Sequence, residues 1–323
     1  SLGAPVRQNK ERNTWMGGSL IHAIKEAASL EFIAENTTFT PLNPRNLNID
    51  KYYNYNTYNV FLKHDFKANL ESKIQFSHGD YSPVFNYHYI SNSKTLSKYK
   101  LTTLTFGFQF NPGNEYMYSP VGKLRTKNAF PQFTFQVIKS FEDVIDGDFD
   151  FTQLNFRVRH RLKPLGGSTT RFLLEAGYVS GDIPITHLYN ATPNYTFKHP
   201  WTKRVTFAGI NSFETMGYNE FLSDKFVAIH IKHELRPFKI SQRFNPQLTL
   251  VTRAAVGELE KPYHQYGLVF QSHNKGYYES GLEFNSLFKG FGISGFYRYG
   301  TYSYEEWIDI LSLKLTFKFL LGF

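Results

Sequence analysis

The chain has 323 residues, a formal net charge of +9, no cysteine, and 18% aromatic residues, including 32 Phe and 22 Tyr. Without cysteine there is no disulfide framework and no thiolate nucleophile or metal ligand. No run approaches the ~18 apolar residues of a helical membrane span, and the basic residues alternate with apolar ones instead of forming runs, which argues against nucleic acid as a partner.

A mean hydropathy of −0.39 beside so many aromatics fits strands that show lipid only at every second side chain. Residues 1–50 form an N-terminal segment, periplasmic or plug-like. Within it Ser19 to Asn36 has Ala, Glu, Lys and Leu in helical proportions without clean alternation, and reads as a short helix or a poorly patterned strand. No secretory signal precedes it, so the chain reads as a mature or truncated product.

From residue 51 to 323 the pattern changes to period two. Weak strands are expected at Tyr58–Phe66 and Glu71–Ser77. From Leu101 to Phe110, Leu104, Phe106, Phe108 and Phe110 oppose Thr103, Thr105, Gly107 and Gln109. Phe133, Phe135 and Val137 alternate with Gln132, Thr134 and Gln136 in the next strand. An acidic hairpin follows at Glu142–Asp150. Its Asp143, Asp146, Asp148 and Asp150 have Asp-x-Asp spacing but lack the rest of a calcium-loop pattern.

From Phe151 to Lys163, Leu154, Phe156, Val158 and Leu162 oppose Asn155, Arg157, Arg159 and Arg161. The link Pro164–Ser168 carries Gly166–Gly167, suited to a tight turn. Thr170–Val179 is a strand, and residues 181–224 form a long loop. Strands at Lys225–Arg236, Gln247–Val256, Tyr277–Ser286 and Phe291–Tyr299 lead to the clearest case, Trp307–Phe323. There Trp307, Leu311, Leu313, Leu315, Phe317, Phe319, Leu321 and Phe323 share one face, and Ser312, Lys314, Thr316 and Lys318 the other.

These elements predict an all-β chain, a transmembrane antiparallel β-barrel of about 12 strands with a short N-terminal helical segment; the count leaves room for membership in a larger barrel. Barrels of this kind end on the periplasmic side, where turns are short. Loop 181–224 then belongs to the extracellular side. Strand-end tyrosines (Tyr52, Tyr53, Tyr55 and Tyr58; Tyr277 and Tyr278; Tyr297, Tyr299, Tyr302 and Tyr304) read as the interfacial girdle.

The best chemical signal is a basic column on the inward face: Arg157, Arg159, Arg161, Arg171, Lys232, Arg236 and Arg253, with Lys314 and Lys318 nearby. It gives either an anion-favouring interior or, paired with Glu175, Glu234, Glu279 and Glu283, a wall that anchors an inserted loop. The histidines form no HExxH pair, and no metal site or cofactor is expected. Ser223, Asp224 and His230 lie close in sequence, but strand spacing separates them, so no catalytic set is assigned.

Phe213-Glu214-Thr215-Met216-Gly217-Tyr218-Asn219-Glu220-Phe221-Leu222-Ser223-Asp224, Gly292-Ile293-Ser294-Gly295-Phe296-Tyr297-Arg298-Tyr299-Gly300 and Ser180-Gly181-Asp182-Ile183-Pro184 resemble the C-terminal barrel of a Bacteroidota outer-membrane family of unknown function. Its members carry a carboxypeptidase-regulatory-like domain upstream, so the chain reads as a barrel-only portion. More distantly the layout resembles BamA/TamA-type (Omp85-type) barrels, in which a long loop folds into the lumen and five strands follow it. Their loop tip is Arg-Gly-aromatic; the matching residues here are Met216, Gly217 and Tyr218, without the arginine.

The resemblance implies a non-enzymatic protein of the bacterial outer membrane that translocates or assembles a polypeptide or envelope component. An anion-preferring diffusion pore is the alternative, and a rim-located hydrolase a third reading. The implied partners are outer-membrane lipid, a translocated polypeptide and the barrel-assembly machinery, for which Phe319 and Phe323 would be the C-terminal signal.

Overall fold

The computed structural model describes residues 2–8, 13–35, 45, 51–91, 94–119, 122–127, 129–195, 206–241, 244–288 and 290–317. Its main sheet is a meander of β1 (Leu2–Gln8), β2 (Asn13–Glu26), β3 (Tyr52–Lys67), β4 (Leu70–Pro83), β5 (Tyr99–Phe110), β6 (Gln132–Ser140), β7 (Phe151–Leu162), β8 (Thr169–Gly181), β9 (Lys225–Glu234), β10 (Gln247–Glu258), β11 (Tyr277–Phe288), β12 (Phe291–Tyr299) and β13 (Leu311–Phe317). Each strand pairs antiparallel with the next. The fourteenth member of the sheet is a loop dipeptide, Thr206–Phe207, lying parallel on β13. With thirteen meander strands, β1 and β13 run in the same direction, and no ladder joins them among the described residues.

Period two places each side chain. Across β7 and β8, Leu154 opposes Tyr178 and Phe156 opposes Ala176, while Arg157 opposes Glu175. The first two pairs face outward and the third inward. The outer face holds solvent-exposed aliphatics and aromatics, from Leu20 (75%) on β2 to Leu313 (63%) on β13. The inner face holds buried polar residues such as Thr103, Gln136, Asn155, Arg253 and Glu279. This is inside-out relative to a water-soluble sandwich, and it is the arrangement of a barrel wall between lipid and a polar lumen. No helix among the described residues is long and apolar enough to cross a membrane.

The alternation picks out eleven of the thirteen strands. The helical alternative for Ser19–Asn36 does not hold, since Asn13–Glu26 is β2 and pairs with β3 along its whole length. On β2 the inward face carries Trp15, Ile21 and Ala23 as well as the outward Met16, Leu20 and Ile24, so both faces are apolar and the alternation is hidden. The wall therefore begins before residue 51. The last strand starts at Leu311, after a single helical turn, α1 (Trp307–Ile310). Phe319 and Phe323 lie outside the described residues.

One end of the wall has mostly short links, such as Ala68–Asn69 between β3 and β4, with residues 111–131 between β5 and β6 the longest of them. The other end carries the long loops. These loops do not project away but pack together inside the mouth. Phe149, Ile185, Leu188, Tyr189, Phe213 and Phe221 join Tyr99, Leu101, Phe151 and Tyr277 from the strand ends in one buried cluster. The apolar core of the protein is thus a cap across one mouth of the lumen.

Gly177 makes room for it. A Cβ there would sit 2.3 Å from the Tyr189 ring, which packs 4.5 Å from the Phe226 ring centre while its hydroxyl donates to Asn155 at 2.6 Å. Gly177→Ala is expected to displace Tyr189 and cost about 1–3 kcal/mol, as overpacking does; thermal unfolding in detergent checks this, and an unchanged midpoint would contradict it.

The tyrosines divide in two. Tyr278, Tyr299 and Tyr297 stack along the outer face, with ring centres 5.9 and 6.0 Å apart, as a girdle would. Tyr53 and Tyr277 are buried on the inner side, and Tyr302 and Tyr304 donate hydrogen bonds to Ser272 O and Glu220.

Candidate functional site

Loop 182–224 enters the lumen and lies on the wall. Its strand Phe213–Gly217 is buried throughout and pairs parallel with Pro193–Tyr195. The contact with β10 and β11 is ionic. The backbone N–H groups of Glu214 and Thr215 donate to the two oxygens of Glu279 at 3.1 and 2.6 Å, and the Thr215 hydroxyl adds a third bond at 2.6 Å. Arg253 Nη1 donates to Glu279 at 2.7 Å and lies 3.7 Å from Glu214. Arg253, Glu214 and Glu279 are all fully buried. Glu214 also accepts from Ser212, Gly209 N and Asn194 at 2.7, 3.0 and 2.6 Å. Burial pushes the Glu214 carboxyl above its ordinary range, while Arg253 and Lys314 pull it back.

A second latch is one turn further on. Arg298 of β12 makes a two-pronged pair with Glu220 at 2.6 and 3.2 Å. Glu220 also accepts from Gly217 N at 2.8 Å and from Tyr304 at 3.0 Å. The guanidinium lies between Tyr277 and Tyr304, 4.8 and 4.5 Å from the ring centres. This geometry is the strong form of a carboxylate–arginine contact.

A third latch holds the segment after β2. Residues 27–35 turn inward and bring Glu35 to Arg157 at 2.8 Å and Arg159 at 3.2 Å. Arg157 also pairs with Glu175 at 2.6 Å and covers the Phe32 ring at 4.4 Å. In the second and third latches the inserted segment supplies the carboxylate and the wall the arginine; in the first the wall supplies both Arg253 and Glu279, and the loop supplies N–H groups and the more distant Glu214.

The rest of the basic column is placed as follows. Lys232 pairs with Glu283 at 3.0 Å and Arg171 with Glu234 at 3.1 Å. Arg161 covers the Phe130 ring at 4.6 Å. Arg236 is exposed at the turn-bearing end, its side chain near Gly167. Each of Glu175, Glu234, Glu279 and Glu283 meets a basic residue of the column. Lys314 donates to Asn194 O at 2.6 Å and to the Thr206 hydroxyl. Lys318 lies outside the described residues.

At the tip, Met216 is fully buried, Gly217 donates to Glu220, and the Tyr218 hydroxyl donates to Asn194 and to Arg45 O at 3.2 and 3.3 Å. Alternation alone does not separate Arg298, Glu214 and Glu220 from their neighbours. Arg298 sits at an inward position of a weakly patterned strand, and the two glutamates lie in a loop without period.

The hydrolytic set does not come together around Ser223, Asp224 and His230. His230 packs on Phe213 at 4.8 Å with neither ring nitrogen hydrogen-bonded. The Ser223 hydroxyl is 3.5 Å from His273 Nδ1, and His273 Nε2 has no hydrogen-bond partner. The acidic hairpin is tied by Lys139 to Asp150 at 2.5 Å, Lys100 to Asp146 at 3.5 Å, and Lys100 N to Asp148 at 2.6 Å. No cluster of three metal-ligating side chains occurs among the described residues.

An antiparallel wall whose long loop folds back into the lumen is a β-barrel type of fold. The profile of the family of unknown function DUF5686, C-terminal domain, matches residues 6–281, and the chain belongs to that family. Its structure is similar to BamA from Haemophilus ducreyi lacking POTRA domains 1-3, with a TM-score of 0.54 and 12% identity over 96% of this chain and 59% of that one. CdiB from Acinetobacter baumannii aligns at a TM-score of 0.46 and 9% identity, over 94% of this chain and 46% of that one. CdiB from Escherichia coli does so at 0.46 and 7%, over 96% and 51%. The chain thus spans about half to three-fifths of the structures it resembles. No curated protein sequence matches it.

Proposed function

We propose that this chain is a barrel of the bacterial outer membrane that translocates or assembles a polypeptide or envelope component, with loop 182–224 as its working element. The observation that carries this reading is the pair of buried contacts that fix the loop on the inner wall, Glu214 N and Thr215 on the Arg253-paired Glu279, and Glu220 on Arg298. Burying so many charges is costly, and a mere connection between β8 and β9 would not need them. The outward aliphatic face is the lipid contact, and the C-terminal end is periplasmic, which puts the cap on the cell surface. Phe319 and Phe323 remain the proposed signal to the barrel-assembly machinery, and Met216, Gly217 and Tyr218 the proposed loop tip.

An open anion-selective pore has less support. Arg157, Arg171, Lys232 and Arg253 are each engaged by a carboxylate, and the loop core fills one mouth. Deleting Thr215–Ser223 is expected to leave the wall folded, read as heat-modifiable mobility on a gel. The same deletion should reproduce the envelope defect of a strain lacking the protein. Full function after the deletion would sink the proposal.

A further inference from the structure

The lumen has two chemically different halves. β7 to β13 present the arginines, lysines and glutamates described above. β3 to β6 present neutral groups near the capped mouth, Thr57, Asn59, Gln75, Ser77, Thr103, Thr105 and Gln136, while Lys63, Asp65, Glu71 and Lys73 lie further along the same face. A cavity of about 190 Å³ opens along this neutral stretch, beside the segment after β2 and the loop residues Thr186 and His187. By the ~30 Å³ that a liquid water occupies, it has room for about six waters.

Three features distinguish this cavity from ordinary hydrated space. One wall is formed by tyrosines: Tyr55 lies nearly parallel to Tyr81 (15°, centres 6.1 Å apart) and Tyr53 is 5.8 Å from Tyr81, which also stacks on Tyr99 outside the lining (5°, 5.8 Å). The facing groups are amides and hydroxyls, which both donate and accept. The charges at the site, Lys25 and Glu31, are joined to each other at 2.8 Å, so no net charge is presented.

We infer that this cavity binds a neutral saccharide. A sugar ring has an apolar C–H face that lies on an aromatic ring and a rim of hydroxyls that match amides and hydroxyls in both directions. An anionic ligand would find no unpaired cation there. A purely apolar one would strip water from the Thr103 and Thr105 hydroxyls that line the cavity and give no hydrogen bond in return. The site is independent of the latches and stands whether or not the loop serves translocation.

Titration calorimetry on the purified full chain in detergent tests it, with maltotriose, lactose and N,N′-diacetylchitobiose as probes and glucuronate as the charged control. At least one neutral probe is expected to bind, and glucuronate not. Tyr55→Ala and Gln75→Leu should each weaken that probe by about tenfold or more, while Tyr55→Phe, which keeps the ring, should retain it. Heat-modifiable mobility confirms that each variant is folded. No heat from any neutral probe, equal binding of glucuronate, or affinity unchanged in both weakening variants would each overturn the inference.

Discussion

Replacing Arg253 by methionine is expected to cost about 3–5 kcal/mol, the loss seen when one partner of a buried ion pair is removed. Arg253 is fully buried and is the one cation hydrogen-bonded to Glu279 among the described contacts, with Glu214 3.7 Å away. Methionine keeps most of the volume but leaves two carboxylates in a water-poor site. Glu279 would still accept the N–H groups of Glu214 and Thr215, so the loop should loosen before the wall does. Arg171→Met is the internal comparison. Arg171 pairs with Glu234, but its side chain is 53% exposed, and such a pair is worth no more than about 1 kcal/mol. Denaturant unfolding from lipid vesicles reads both. Equal, small losses would mean that the Arg253 contact does not hold the loop.

Acidification should weaken the cap through His273. This imidazole is fully buried between Ser223 and Phe221, beneath Gly257, where a Cβ would meet it at 2.7 Å. Burial pushes its pKa down from 6.5 to about 4. Above pH 6.5 the ring is neutral in both the docked and the unfolded chain, and its contribution is constant. Between pH 6.5 and 4 the unfolded chain takes up a proton that the docked cap refuses, so stability falls as the pH falls. The full effect is roughly 3 kcal/mol.

Glu214 and Asp224, whose carboxyls burial pushes up, run the opposite way. They bind protons more readily in the folded state and offset part of the loss near the acid end. Comparing wild type with His273→Gln over pH 7 to 4 isolates the histidine. The wild-type curve should fall more steeply and the two should diverge below pH 6.5. Parallel curves would rule out a neutral buried His273.

Much of the wall is legible in the sequence, because lipid on one side and polar lumen on the other impose period two on nearly every strand. Where both faces turn apolar the signal fails, as it does on β2, with Ile21 inside and Leu20 outside. The basic column shows for the same reason as the strands, and so do its partners Glu175, Glu234, Glu279 and Glu283. The latches show only half. Their wall side is periodic, but Glu35, Glu214 and Glu220 lie in loops, where no repeat marks which carboxylate turns inward. The tip lacks the arginine that the resemblance would place there, and the guanidinium–carboxylate contact found at this loop joins Glu220 to Arg298 of the wall.

Amide hydrogen exchange over residues 213–220 of the protein in lipid nanodiscs tests the central claim, that the loop is fixed on the inner wall. The N–H groups of Glu214 and Thr215 are bonded to Glu279 and that of Gly217 to Glu220. Each is buried, so their exchange should be as slow as that of β10 and β11, and Arg253→Met should accelerate it selectively. Exchange as fast as that of the exposed acidic hairpin 142–147 in the unmodified protein would contradict the account.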